Sequence, residues 1–221
     1  MKTLPNSLFY TDAYKTIQDT TKNILNDQAD YMTVQTARST RAVGDAIEGI
    51  LQNEFNAILG RSVVKEYTSD FARRAMGDLA FESHEGFYHL VDVKTHRSST
   101  DFNMPNLTSV QRIAKLYEED KNYFCLLLVA YDIEGITITV DKVTFVPIEF
   151  LDWSCLTIGA LGWGQIQIAN SNRIKIIDKN RRKDWMLEFC EKVLSFYPRE
   201  ILKINERISY FEDTKAFWEE K

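Results

Sequence analysis

The sequence is short of the residues that make cross-links and metal cages. It has three cysteines in 221 residues. Cys125, Cys155 and Cys190 are widely spaced, and two of them sit in apolar runs. That pattern excludes a disulfide frame or a cysteine-rich zinc site and predicts reduced core thiols. The three histidines lack metal-ligand spacing, so His84 and His89 read as surface or packing residues. Long apolar runs are missing too. The longest, residues 124–130, is far too short to span a bilayer. The N-terminus has no basic region followed by an apolar stretch, as a secretory signal would, and no repeat or low-complexity segment is visible. The expectation is a cytoplasmic protein without a membrane partner. Positive charge is also scarce. The net charge of −5 argues at first sight against a nucleic-acid partner.

The distribution of charge qualifies that sum. Basic residues group at Arg38/Arg41, Arg73/Arg74, Lys94/His96/Arg97 and 179–183, and acidic ones at 118–120 and near the C-terminus. A protein that holds DNA in a cleft needs positive potential only there, and acidic metal ligands add negative charge to the total. With 44% hydrophobic and 27% charged residues the chain has an ordinary globular composition. It is long enough for one ample core, so residues 1–221 read as a single domain.

Hydrophobic periodicity gives the order of elements. A helical pattern over 10–30 is followed by a polar loop over 32–41. A helix over 43–59 ends at Gly60, with Glu48 at the edge of its apolar stripe and Glu54 inside it. A strand over 62–67 comes next, then a hairpin and a helix over 107–117. Residues 122–131 form a continuous apolar strand of the kind covered on both faces, and a further strand spans 136–146. Residues 151–164 are irregular, 165–168 and 173–177 are short strands, and 182–211 form a helix or helix pair interrupted near Pro198. This order indicates an α/β fold with a mixed central β-sheet flanked by helices.

The hairpin carries the chemistry. Residues 77–81 alternate polar and apolar, 89–94 are β-branched and apolar, and Ser83, His84, Glu85 and Gly86 form a turn between them. Centred on Glu85, the hairpin sets Asp78 directly opposite Asp92. Their Cβ atoms would then be roughly 4.5–5.5 Å apart, close enough to share one divalent cation. Lys94 shares the Asp92 face, while Leu79, Phe81, Val91 and Val93 point to the buried one. Opposed carboxylates destabilise a sheet unless a cation compensates them.

Asp78 with Asp92, Val93 and Lys94 resembles the signature of the PD-(D/E)xK nucleases, with Gly77 in place of the usual proline. The run from Leu90 to Thr95, then Met104, Pro105 and Asn106 before an amphipathic pattern, is similar to type II restriction endonucleases of that superfamily. Gly44, Asp45 and Glu48 resemble the start of the family's first helix, and Gln165, Ile166 and Gln167 with the segment after Arg182 resemble its closing portion. The resemblance covers roughly residues 40–210 and implies a restriction-endonuclease-like α/β/α core.

It also implies a Mg²⁺-dependent, sequence-specific endonuclease that cuts palindromic double-stranded DNA, leaving blunt ends, as part of a bacterial restriction-modification system. The partners would be DNA, a second copy of the chain and a cognate DNA methyltransferase. Asp78 and Asp92 would hold the metal and Lys94 would act beside it. Either Glu48 or Glu54 would be the third acid, Glu48 being preferred. DNA contacts fall to Arg38, Arg41, Thr95, His96, Arg97, Asn103, Asn106, Gln165 and Gln167, because basic groups clamp phosphates and amides read base edges. The N-terminal segment, about 1–32, is the expected dimer interface. Two alternatives stand beside this: a repair nuclease or junction resolvase on the same scaffold, and a DNA-binding module without catalysis.

Overall fold

A computed structural model describes residues 7–28, 33, 36, 39–68 and 76–221. The expected central sheet is present. Among the described residues it has five strands in the order β1-β2-β3-β5-β6: β1 (Val64–Thr68), β2 (Leu79–Ser83), β3 (Tyr88–Arg97), β5 (Asn122–Glu134) and β6 (Thr137–Pro147). β3 and β5 run parallel and the other neighbours antiparallel, so the sheet is mixed. A second sheet of three short strands has the order β4-β8-β7: β4 (Asn106–Ser109), β7 (Leu156–Gly159) and β8 (Gln165–Ile168). The α-helices described alongside them are α1 (Ser7–Tyr10), α2 (Ala13–Asp27), α3 (Thr40–Leu59), α4 (Val110–Leu116) and α5 (Arg182–Glu219). Among the described residues no helix is long and apolar enough to cross a membrane.

The centre of the sheet is buried on both faces, as the unbroken apolar run of β5 predicts, while β1 at its edge is not. One face carries Phe81, His89, Tyr123 and Phe145. Phe9 from α1 and Phe55 from α3 pack on it through ring contacts of 5.3–6.4 Å. His89 belongs to this layer, stacked on Phe81 with ring centroids 4.3 Å apart. On the opposite face Leu90, Phe124, Leu126 and Val146 are buried, and α4 packs against β5. The apolar stripe of α2 (Tyr14, Ile17, Leu25) is buried within the chain, and Asn26 exchanges hydrogen bonds with the Val140 backbone of β6.

Several boundaries differ from expectation. α3 starts at Thr40, because the Ser39 hydroxyl accepts the Ala42 N–H as an N-cap. Arg41 is therefore helical rather than part of a loop. The helix expected over 107–117 is shortened to α4, since Asn106–Ser109 pairs with β8 and Ser109 caps the helix. The strand expected over 173–177 is reduced to one bridge, Leu151 with Ile176. α5 is a single helix that continues through Pro198. Of the three cysteines, Cys125 and Cys155 are buried but Cys190 is exposed.

Candidate functional site

The β2–β3 turn closes as its residues dictate. The Gly86 N–H donates to the Ser83 carbonyl, the Ser83 N–H donates to Phe87, and Gly86 takes φ +76°, a conformation glycine adopts without strain. The resulting register pairs Leu79 with Val91 and Phe81 with His89, which is the alignment expected from a turn centred on Glu85. That alignment does not extend to Asp78. Its N–H donates to the Val91 carbonyl at 2.8 Å, a partner already opposite Leu79, so the chain leaves the ladder at this point in a bulge-like step. Asp78 and Asp92 are thus not a simple cross-strand pair.

The departure gives Asp78 a different position. Beyond Val91, β3 has no β2 partner, and Asp78 Oδ2 accepts the Val93 N–H at 2.7 Å, capping the open strand edge. Gly77 makes this close approach possible. A Cβ there would lie 2.8 Å from the Val91 carbonyl oxygen and 2.9 Å from Leu90 Cγ.

Asp92 lies on β3 among apolar neighbours and is only 5% exposed. Its Oδ1 accepts the Lys94 ammonium at 2.7 Å, while its Oδ2 is buried without a hydrogen-bond partner among the described residues. Burial pushes the Asp92 carboxyl up to about 7. The Lys94 charge opposes the shift, and Asp78 and Glu48 add to it. Lys94 also donates to the Val93 carbonyl at 3.3 Å.

This group borders a cleft of about 420 Å³ at the C-terminal end of β3. Its walls are the first turns of α3 (Thr40, Arg41, Gly44, Asp45 and Glu48), residues 93–97 of β3, and Thr100, Phe102, Asn103 and Tyr131. Ligands of α/β sheets commonly bind at the carboxyl ends of parallel strands, and β3 is parallel to β5. Glu48 Oε1 accepts the Gln52 amide at 2.8 Å. Glu48 lines the cleft and acts electrostatically on Asp92, and Glu54 does neither, so of these two it is Glu48 that α3 brings to this site, beside Asp45.

The predicted contact residues divide into two groups. Arg41, Thr95, His96, Arg97 and Asn103 line the cleft. Burial holds the His96 imidazole below its ordinary pKa, against a hydrogen bond with Asn172. Arg97 is already committed, with its Nε 2.9 Å from Asp132 Oδ1. Asn106, Gln165 and Gln167 lie instead on the three-stranded sheet, where the Gln167 amide donates to Asn106 Oδ1 at 2.6 Å. Arg38 and the Arg73/Arg74 pair lie outside the described residues.

The cleft also holds two residues to which the sequence assigned no role, Asp45 of the motif at the start of α3 and Phe102 of the loop that follows β3. Asp45 stands three residues before Glu48 and shares its helix face, a spacing that was legible. Phe102 is 61% exposed in a polar loop, and its only sequence signal was an aromatic residue among hydroxyls and amides.

Among the described residues no three His, Cys, Asp or Glu side chains converge as a metal-binding group. The donors that are present still suit Mg²⁺, which retains several waters and takes one or two carboxylates. Asp92 offers a buried oxygen with no other partner, and Asp78 a carboxylate anchored on the adjoining strand edge. No protein-family model matches the chain, and no curated protein matches it.

Proposed function

We propose that this chain is a Mg²⁺-dependent DNA endonuclease of the PD-(D/E)xK type with a restriction-endonuclease-like core. It would cut palindromic duplex DNA as a homodimer within a restriction-modification system. The observation that carries this reading is the acid–acid–lysine arrangement. Among the described residues Asp92 has an unpartnered buried oxygen, Asp78 is fixed on the neighbouring strand edge, and Lys94, 2.7 Å from Asp92, lines a cleft together with Arg41, His96 and Asn103.

Asp92 and Asp78 would hold Mg²⁺, which when bound polarises the phosphate and lowers the pKa of a coordinated water. Lys94 supplies a fixed ammonium where negative charge grows as the phosphodiester becomes pentavalent. Such preorganised charge works best in a partly desolvated site, and the Lys94 side chain is only 26% exposed. Lys94 also balances Asp92, so the buried carboxylate can ionise at neutral pH. Glu48 brings a further acceptor from α3 to orient water in the cleft. Arg41 and Asn103 offer a phosphate clamp and a donor–acceptor pair for a base edge, and Phe102 offers an aromatic face.

The test is incubation with plasmid and phage DNA, in Mg²⁺ and then in EDTA. Discrete, metal-dependent fragments are expected from the wild type and none from Lys94→Ala. Cleavage confined to branched or mismatched DNA would replace sequence recognition by structure recognition. Absence of cleavage on all substrates would overturn the nuclease reading.

A further inference from the structure

The second half of α5 is apolar where, among the described residues, it has nothing to pack against. From Ile201 to Lys221 every residue is exposed except the half-buried Thr214, and Phe211 and Trp218 are 67% and 64% exposed. In proteins most helical stability comes from packing of the apolar face, so this face requires a cover.

The spacing of that face identifies the cover. Exposed Leu187, Leu194, Ile201 and Ile208 recur at every seventh residue. Ile204, Phe211 and Trp218 recur at the same interval three places on. This is the a/d pattern of a coiled coil: both series are apolar from Ile201 to Trp218 apart from Lys215, and the a series continues in phase across Pro198 to Leu187, where the d places are Cys190 and the half-buried Tyr197. Phe189 and Phe196, which face the protein body, lie off this seam. A shallow hollow among Ile204, Arg207, Ile208 and Phe211 has the composition of a hole that receives a partner's knob.

We propose that α5 pairs with α5 of a second copy of this chain as a parallel, in-register coiled coil along this seam. The charges flanking it favour this occupant. In the parallel register Arg207 at g faces Glu212 at e of the partner helix, and the contact occurs twice by symmetry. An antiparallel arrangement instead sets e against e, where Glu191, Glu212 and Glu219 would meet like charge or nothing. Lys215 falls at a, and a single polar residue there fixes register at some cost in stability.

The area is adequate. With aromatic side chains contributing about 150–250 Å² each, the exposed parts of two Phe211 and two Trp218 rings supply roughly 400–650 Å². The aliphatic positions bring the seam into the ~1,200–2,000 Å² range of stable interfaces. A lipid surface fits less well, because residues 201–221 carry five acidic against four basic side chains and no basic polar face. The proposal rests on the homodimer of the proposed function and names its interface as α5 in place of residues 1–32; association of the seam variants tests the interface, while metal-dependent cleavage tests the nuclease reading separately.

Sedimentation equilibrium of the full chain over micromolar concentrations is the test. The wild type is expected at twice its 25.7 kDa chain mass. Ile208→Lys combined with Phe211→Lys is expected to give monomer, with near-ultraviolet dichroism of the Trp153–Trp185 stack unchanged as a control for the fold. Arg207→Glu and Glu212→Lys are each expected to weaken association about tenfold or more by opposing like charges. Mixing the two variants should restore it, because every g–e contact is then attractive. A monomeric wild type overturns the proposal, also if that monomer binds phosphatidylcholine vesicles. A dimer indifferent to the seam variants, or a mixture without rescue, overturns it equally.

Discussion

Replacing Asp92 with asparagine is expected to abolish activity and to stabilise the protein at alkaline pH. The carboxyl titrates near 3.8 in an unfolded chain and at about 7 when folded, mainly because it is buried. Below both values it is protonated in both states and contributes nothing to pH dependence. Between them the folded state holds the extra proton, so stability falls as pH rises through that window and then levels off above about 7. At about 1.4 kcal/mol per unit, the full shift costs on the order of 4 kcal/mol.

Asparagine cannot ionise, so the variant escapes this loss. The Lys94 ion pair at 2.7 Å is already contained in that net shift, which it reduces, so its loss is not a separate cost. The net expectation is a variant about 4 kcal/mol more stable than wild type near pH 8.5, with the advantage reduced to about 1 kcal/mol near pH 4.5. His89 titrates in the opposite sense. Its burial lowers its pKa to about 3, so stability increases as pH rises from there to its ordinary 6.5. That contribution is common to both proteins and cancels in their difference. Urea unfolding of both, in EDTA at about pH 4.5, 6 and 8.5, reads the effect. A stability difference that does not change with pH, or a variant less stable at the alkaline end, would refute the assignment of Asp92 as a buried, strained carboxylate.

Three other outcomes follow from the same geometry. Gly77→Ala drives a Cβ against the Val91 carbonyl and displaces Asp78, so stability should drop about 1–3 kcal/mol and cleavage should fall further than stability explains; denaturant midpoints beside single-turnover cleavage rates separate the two. Glu149 is fully buried and accepts from Arg182 at 3.0 Å and from the Tyr117 hydroxyl at 2.6 Å. Glu149→Ala leaves the Arg182 guanidinium between the Tyr117 and Tyr123 rings without its anion, at an expected cost of about 3–5 kcal/mol in urea unfolding. Lys94→Ala is expected to keep DNA affinity within a few-fold in Ca²⁺ by gel shift, whereas Arg41→Ala weakens binding and reduces its salt dependence by about one phosphate contact.

The hairpin register was legible in the amino-acid pattern, because the turn residues and the two-residue alternation admit one alignment that buries Leu79, Phe81, Val91 and Val93. The buried strand β5 was equally legible from its unbroken apolar run. Three things were not. The step at Asp78 arises from the close approach of Gly77 to Val91, a contact that no periodicity encodes. Glu48 was preferred over Glu54 only by resemblance, and its place beside the cleft needed the path of α3 past the end of β3. The separation of Asn106, Gln165 and Gln167 from the cleft needed the pairing of β4 with β8. Those two short segments lie far apart along the chain, where local pattern says little about partner choice.

The sequence by itself determined which residues could do chemistry, since acids and a lysine at fixed spacing on a strand share a face whatever surrounds them. Tertiary structure decided the state of those residues. It buried Asp92, left one of its oxygens without a partner, turned Asp78 onto the strand edge and drew Glu48 beside them. Burial and long-range approach set the energy of a charge, and both depend on neighbours that lie far away along the chain.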